Sequence, residues 1–191
     1  MQGQAENAKP ENGPAAACGC LPGRAKREPG PLPGVRRMHK LFGAIDLPPI
    51  WLFGHLVVAW GIGRIYPVVL AAGAGRWIGG ALVLAGLGLL TAAIRRMAAR
   101  KTTVIPRRAP AALVTDGVFG FSRNPIYLAD ALILTGAIFW WDALLALPLV
   151  AVFVGVIQTR FIRDEEAVLT AAFGPEFDLW AQRVRRWLGR R

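Results

Sequence analysis

The chain has 191 residues, a length that suits one domain. Hydrophobic residues make up 54% of it, and its mean hydropathy of +0.39 is too high for a soluble domain of this size. The formal net charge is +11, but the Lys and Arg residues cluster between apolar runs that are nearly free of charge. This pattern indicates a multi-pass membrane protein with a basic cytoplasmic face and argues against nucleic-acid binding.

The N-terminal segment, residues 1–44, is rich in Pro, Gly, Ala and charge and lacks apolar periodicity, so we expect a disordered basic tail. It contains no apolar core of the length that a secretory signal needs. Its basic residues favour contact with anionic lipid, and a regulatory role is the alternative. Cys18 and Cys20 have no His or further Cys beside them, so we predict no metal site.

The remainder, residues 45–191, is predicted to be an all-α, multi-pass transmembrane helix bundle of about four spans in two helical hairpins. Nearly all Lys and Arg residues would then lie on one side of the membrane, which places both termini in the cytoplasm. A kink is expected at Pro148, and residues 163–191 would form a cytoplasmic C-terminal segment. The expected spans are 49–66, 77–94, 126–141 and 143–162.

The first two spans contain ionisable and small residues with more than one interpretation. His55 and Arg64 are functional candidates because ionisable groups are rare inside spans. Arg64 lies near the far end and can extend to the interface, which favours a structural role, whereas both interpretations of His55 stay open. Gly75, Gly79 and Gly80 would let neighbouring helices approach closely, and their spacing is also compatible with a homo-oligomer.

A polar motif opens the third span. Asn124 and Pro125 have the pattern of a helix start, a capping side chain followed by Pro at the first helical position. Free backbone N–H groups and Arg123 would face a cytoplasmic recess, where they suit a carboxylate or a phosphate. Tyr127 and Asp130 are three residues apart and share one helix face.

A second polar cluster closes the fourth span. Glu165 and Glu166 are adjacent, so their side chains diverge by about 100° on a helix and cannot face the same place. One could accept hydrogen bonds from a diol such as a ribose, while the other pairs with an arginine or acts as a base. The alternative, which composition alone favours, is a solvated helix face beside a basic tail.

Two further segments flank these motifs. Residues 113–119 suggest an extended segment with a turn at Asp116 and Gly117. Residues 176–188 form an amphipathic pattern that predicts a helix on the membrane surface. The apolar face of that helix would consist of Phe177, Trp180, Val184 and Leu188.

Residues 113–117, the run 122–128, a helical hairpin, Glu165-Glu166 and residues 173–177 together resemble the isoprenylcysteine carboxyl methyltransferases and the related phospholipid N-methyltransferases. The resemblance implies an enzyme of the membrane that uses S-adenosylmethionine and has a lipid-side entrance for its acceptor. It implies that the cofactor is bound by Arg123, Asn124, Pro125, Tyr127, Glu165 and Glu166. Tyr127, Glu165 and Glu166 are then the catalytic candidates.

The resemblance leaves the acceptor open between a lipid, a lipid-linked group and a small apolar molecule that carries a carboxylate, an amine or a thiol. Asn124 stands where many members have His, so a prenylated cysteine is not specified. An amine or a thiol must lose a proton before it is methylated, for which Asp130, Tyr127 or one of the glutamates is available. The alternative from another class is a non-enzymatic membrane scaffold or lipid-binding helical protein, and a small transporter has only His55 in its favour.

Overall fold

The structure, a computed structural model, describes residues 46–70, 73–102 and 112–190. Within these ranges the chain is helical and contains no β-strand, with a single isolated bridge between Val184 and Arg190. The predicted all-α class is therefore confirmed for the part of the chain that is described. The predictions for residues 1–44, including Cys18 and Cys20, lie outside it.

Proline marks the start of several helices, because its fixed φ suits the first helical turn and its missing N–H would have no partner there. It occupies the first turn of α1, α3, α4 and α6. Pro148 therefore begins α4, and the kink expected at this residue stays a prediction. A 3-10 turn at Leu144–Ala146 precedes Pro148. The helices are α1 (Pro48–Ile65), α2 (Ala74–Ala99), α3 (Pro125–Trp140), α4 (Pro148–Ile157), α5 (Arg163–Phe173) and α6 (Pro175–Arg183).

Two helical stretches in the described ranges are long and apolar enough to cross a membrane. They are α2 and the continuous run Leu144–Phe173, in which a π-helical turn at Gln158–Ile162 joins α4 to α5. Helix α3 is apolar but has 16 residues, about 24 Å at helical rise. Helix α1 has 18 residues, but it carries His55 and Arg64 and is not apolar enough to be counted with these two stretches. The number of four spans stays a prediction.

Helices α2 and α3 form the most extensive helix contact in the described part of the chain. A Cβ atom on Gly79 would lie 2.6 Å from the carbonyl oxygen of Gly136, and one on Gly136 would lie 2.7 Å from that of Gly79. The predicted close approach is confirmed. The face of Gly75, Gly79 and Gly80 is covered by α3 of the same chain, so its use as a homo-oligomer interface is wrong.

One apolar core lies between α1, α3 and the α4–π segment, with Leu134, Ile138 and Phe153 fully buried in it. His55 sits at its edge. The Nδ1–H of His55 donates to the carbonyl oxygen of Trp51 (2.8 Å), and its ring meets Phe153 edge-on at 5.4 Å. These contacts support the structural interpretation of His55.

A second core lies under α6. Phe177, Trp180 and Val184 are buried against Val114 and Phe119. The indole N–H of Trp180 donates to the carbonyl oxygen of Phe119 at 3.2 Å. The expectation that this face lies on the membrane surface is wrong, because protein covers it. The helix also ends earlier than predicted, at Arg183, and Leu188 is exposed.

Candidate functional site

A cavity of about 720 Å³ lies where the start of α3, the end of α2 and the start of α5 meet. This volume is in the range of small-molecule sites. Both predicted motifs contribute to its wall. The polar and motif residues that line it are Thr102, Arg123, Asn124, Pro125, Tyr127, Asp130 and Glu165.

The start of α3 forms one side of this cavity. Asn124 is the residue before the helix and Pro125 is its first residue, as predicted. The Asn124 side chain does not cap the helix, which corrects the prediction. Its Nδ2–H donates instead to the carbonyl oxygen of Arg186 (3.1 Å), while its backbone N–H donates to Oγ of Ser122 (3.1 Å). Asn124 therefore ties the C-terminal segment to the motif.

Tyr127 and Glu165 connect the two motifs across the cavity. The phenol O–H of Tyr127 donates to Oε1 of Glu165 at 2.5 Å, although the residues are 38 positions apart. The Tyr127 side chain is buried and Glu165 is half-buried. Asp130, which is also buried, lines the cavity less than one helical turn after Tyr127, so their shared helix face is as predicted.

Glu166 does not line the cavity and lies instead between two arginines, one of which, Arg123, lines it. Its carboxylate binds Arg186 through Nε (3.0 Å) and Nη2 (2.5 Å), and its Oε1 lies 3.3 Å from Nη1 of Arg123. The side-chain hydrogen bond to Glu166 raises the pKa of Arg186 above its ordinary value. The two adjacent glutamates thus diverge as expected, and Glu165 is the one that lines the cavity.

The π-helical turn sets which glutamate faces the cavity, because a π turn inserts one extra residue and rotates the helix that follows. Polar contacts hold this turn from two sides. Gln158 Oε1 accepts the indole N–H of Trp187 (2.9 Å). Arg160 forms an ion pair with Asp46 (3.5 Å) and stacks over the ring of Trp51 (5.3 Å).

The C-terminal segment 184–190 secures the chain that leads into α3. The backbone N–H of Arg123 donates to the carbonyl oxygen of Arg185 (3.1 Å), and that of Gly189 donates to Phe121 (2.8 Å). Arg190 Nε donates to the carbonyl oxygen of Gly120 (3.2 Å). The sequence predicts a membrane-surface helix as far as residue 188, so it does not predict that this segment supports the site.

Several cavity residues were missed by the sequence analysis. An apolar wall is formed by Leu47, which precedes α1, by Pro48 and Leu52 of α1, and by Leu90 and Ile94 of α2. Their sequence pattern is that of any apolar span and does not indicate a cavity. The hydroxyl of Thr102 is buried beside them and has no hydrogen-bond partner among the residues that the structure describes.

A family model described as phospholipid methyltransferase matches residues 74–176. The matched region contains α2 to α5 and every predicted site residue, whereas α1 precedes it. No curated protein and no solved structure matches the chain.

Proposed function

Because the chain belongs to the phospholipid methyltransferase family, we propose that it is an integral membrane enzyme that methylates an apolar, membrane-associated acceptor with S-adenosylmethionine. Family membership indicates a membrane methyltransferase, and the methyl donor and the acceptor are the proposal. The observation that carries it is the cavity in which Tyr127 and Glu165 meet beside an apolar wall. We also propose that the basic ends of the helices and both termini face the cytoplasm.

The cavity residues fit the chemical groups of the proposed cofactor. S-adenosylmethionine carries a carboxylate, an ammonium group and a ribose diol, and when bound it supplies a methyl group on a positively charged sulfur. The guanidinium of Arg123 and the start of α3 suit the carboxylate. Glu165 can accept hydrogen bonds from the diol or the ammonium group. Two carboxyl groups on the wall, Glu165 and Asp130, favour a cationic ligand over an anionic one.

We propose different roles for the two glutamates. Glu165 contacts the cofactor, and the hydrogen bond from Tyr127 fixes the orientation of its carboxylate. Glu166 is a positioning residue, since its ion pairs hold Arg123 and Arg186 and its side chain does not line the cavity. Asn124 and Pro125 shape the start of α3, which positions Arg123 and Tyr127.

The chain contributes the surroundings that a displacement reaction needs. The apolar wall excludes water and favours a lipid or lipid-linked acceptor over a polar one. Tyr127 and Asp130 stand on the wall where an amine or a thiol acceptor would lose its proton, whereas a carboxylate acceptor would need no base. Alignment of donor and acceptor in one cavity provides the remainder of the acceleration.

Methyl transfer tests the proposal. Purified protein in nanodiscs is incubated with methyl-labelled S-adenosylmethionine and a total lipid extract, and then separately with carboxylate, amine and thiol acceptors that carry an apolar chain. We expect label in at least one acceptor and a loss of about 10-fold or more in Glu165→Gln, because the charged hydrogen-bond acceptor for the cofactor is removed. Glu176→Gln, an exposed carboxylate on α6, is the matched control and should transfer like the wild type. Transfer by Glu165→Gln at the wild-type rate, or no transfer to any acceptor, would contradict the proposal and favour the scaffold.

A further inference from the structure

A second cavity, of about 480 Å³, lies at the opposite end of the helices from the candidate site. It is formed where α1 and α3 end and α2 begins. Along α3 the first cavity is lined as far as Ile133 and the second from Trp140, a separation of about 10 Å at helical rise. The side chains that determine its chemistry are Trp60, Arg64, Arg76, Trp140, Trp141 and Asp142. Nothing in the proposed methyl transfer uses them.

This cavity carries an excess of positive charge. Two arginines, Arg64 and Arg76, line it, and Asp142 is its one acidic residue. Within the described ranges neither arginine forms an ion pair, although the guanidinium of Arg64 lies over the Trp60 ring at 5.5 Å. The cavity therefore has about one uncompensated positive charge and two planar hydrogen-bond donors that suit an oxyanion.

Exposed aromatic side chains surround the same end of the helices. Trp60 and Trp140 are about half exposed, and Tyr66 and Trp77 more so, at 63% and 84%. Exposed tryptophans and tyrosines of this kind gather at the boundary between lipid and water, where an amphipathic ring has both an apolar and a polar neighbour. This belt places the cavity at the depth of the lipid headgroups.

We propose that this second cavity binds the phosphodiester of a membrane lipid headgroup between Arg64 and Arg76. The lipid belongs to the leaflet opposite the one that the candidate methyltransferase site faces. A phosphodiester has one negative charge, which balances the one excess positive charge of the cavity. The Asp142 carboxylate opposes a second negative charge, so the site prefers a diester to a phosphate monoester. The proposal rests on the membrane placement in the proposed function, but not on the methyl transfer.

Lipid binding to purified protein in a non-ionic detergent tests this site. The probe is dioctanoyl phosphatidylglycerol, and its dissociation constant is measured by titration with native mass spectrometry. We expect the double variant Arg64→Gln/Arg76→Gln to bind about tenfold more weakly or worse, because two charge-assisted contacts are lost. Arg95→Gln/Arg163→Gln, two exposed arginines near the other end of the helices, is the matched control and should bind like the wild type.

Two outcomes would overturn the assignment. Unchanged lipid affinity in Arg64→Gln/Arg76→Gln would show that the arginines do not hold the headgroup. Binding of inorganic phosphate as tightly as the lipid would show a general anion site instead of a lipid site. The single variant Arg76→Gln, at an exposed position in the first turn of α2, provides the same comparison if the double variant does not fold.

Discussion

Replacing Glu166 with Gln is expected to loosen the C-terminal segment 184–190 while leaving every polar residue that lines the cavity in place. Glu166 binds Arg186 through two hydrogen bonds and lies 3.3 Å from Arg123. Hydrogen bonds to charged groups contribute about 1.5–3 kcal/mol. The Arg186 side chain is 33% exposed and water can replace part of the interaction, so we expect a loss near the lower end, about 2 kcal/mol.

Hydrogen exchange measured by mass spectrometry reports this loss locally. Three backbone amides form hydrogen bonds that depend on this segment. The N–H of Arg185 donates to the carbonyl oxygen of Gly189, that of Gly189 donates to Phe121, and that of Arg123 donates to Arg185. If they exchange when the segment opens, a loss of about 2 kcal/mol accelerates their exchange roughly 30-fold. Peptides that cover α2 should exchange as in the wild type.

Two variants make this prediction specific. Glu165→Gln alters the neighbouring glutamate, which faces the cavity, and should leave the exchange of segment 184–190 within about twofold of the wild type. Glu176→Gln controls for loss of an exposed negative charge. Exchange in Glu166→Gln at the wild-type rate would refute the positioning role of Glu166, and equal acceleration in Glu165→Gln would refute the division of roles between the two glutamates.

Three further predictions concern the helices and the connector. Gly136→Ala should lower the free energy of unfolding, measured by SDS titration, by about 1–3 kcal/mol, because its Cβ would lie 2.7 Å from the α2 backbone. Gly88→Ala, which has open space around it, should be neutral or slightly stabilising in the same titration. Trp180→Phe should cost about 1–2 kcal/mol in that assay, since the carbonyl oxygen of Phe119 loses its donor. The pKa of Asp116 is lowered from 3.8, chiefly by the hydrogen bond from Arg100. The stabilisation that the ionised Asp116 provides is therefore present above pH 3.8 and is lost as the pH falls through the lowered pKa. Below that pH, the difference in Tm between the wild type and Asp116→Asn should disappear.

The position of the helices and of the motif at the start of α3 could be predicted from the sequence. Long apolar runs separated by basic connectors, and Pro125 after a polar residue, are local signals that need no tertiary information. The divergence of Glu165 and Glu166 also follows from helix geometry. Which of them faces Tyr127 does not, because it depends on the extra residue of the π turn, which is held by contacts such as Gln158 to Trp187 that are distant in sequence.

The C-terminal segment shows a second limit of the sequence signal. The apolar face of α6 has the same periodicity whether lipid or protein covers it, so Phe177 and Trp180 do not reveal their partner. The structure shows that they pack under Phe119, next to the chain that leads into α3. The contribution of α1 to the cavity wall is likewise not predictable, since Leu52 matches the composition of any span.

Calorimetric binding of S-adenosylmethionine to the purified protein in nanodiscs tests the central claim most directly. We expect wild-type protein to bind with micromolar affinity, which corresponds to about 8 kcal/mol. Binding should be lost in Arg123→Ala and Glu165→Gln, weakened in Tyr127→Phe, and unchanged in Glu176→Gln. Absence of binding by folded wild-type protein, or wild-type affinity in Glu165→Gln, would contradict the assignment of this cavity as the cofactor site of a methyltransferase.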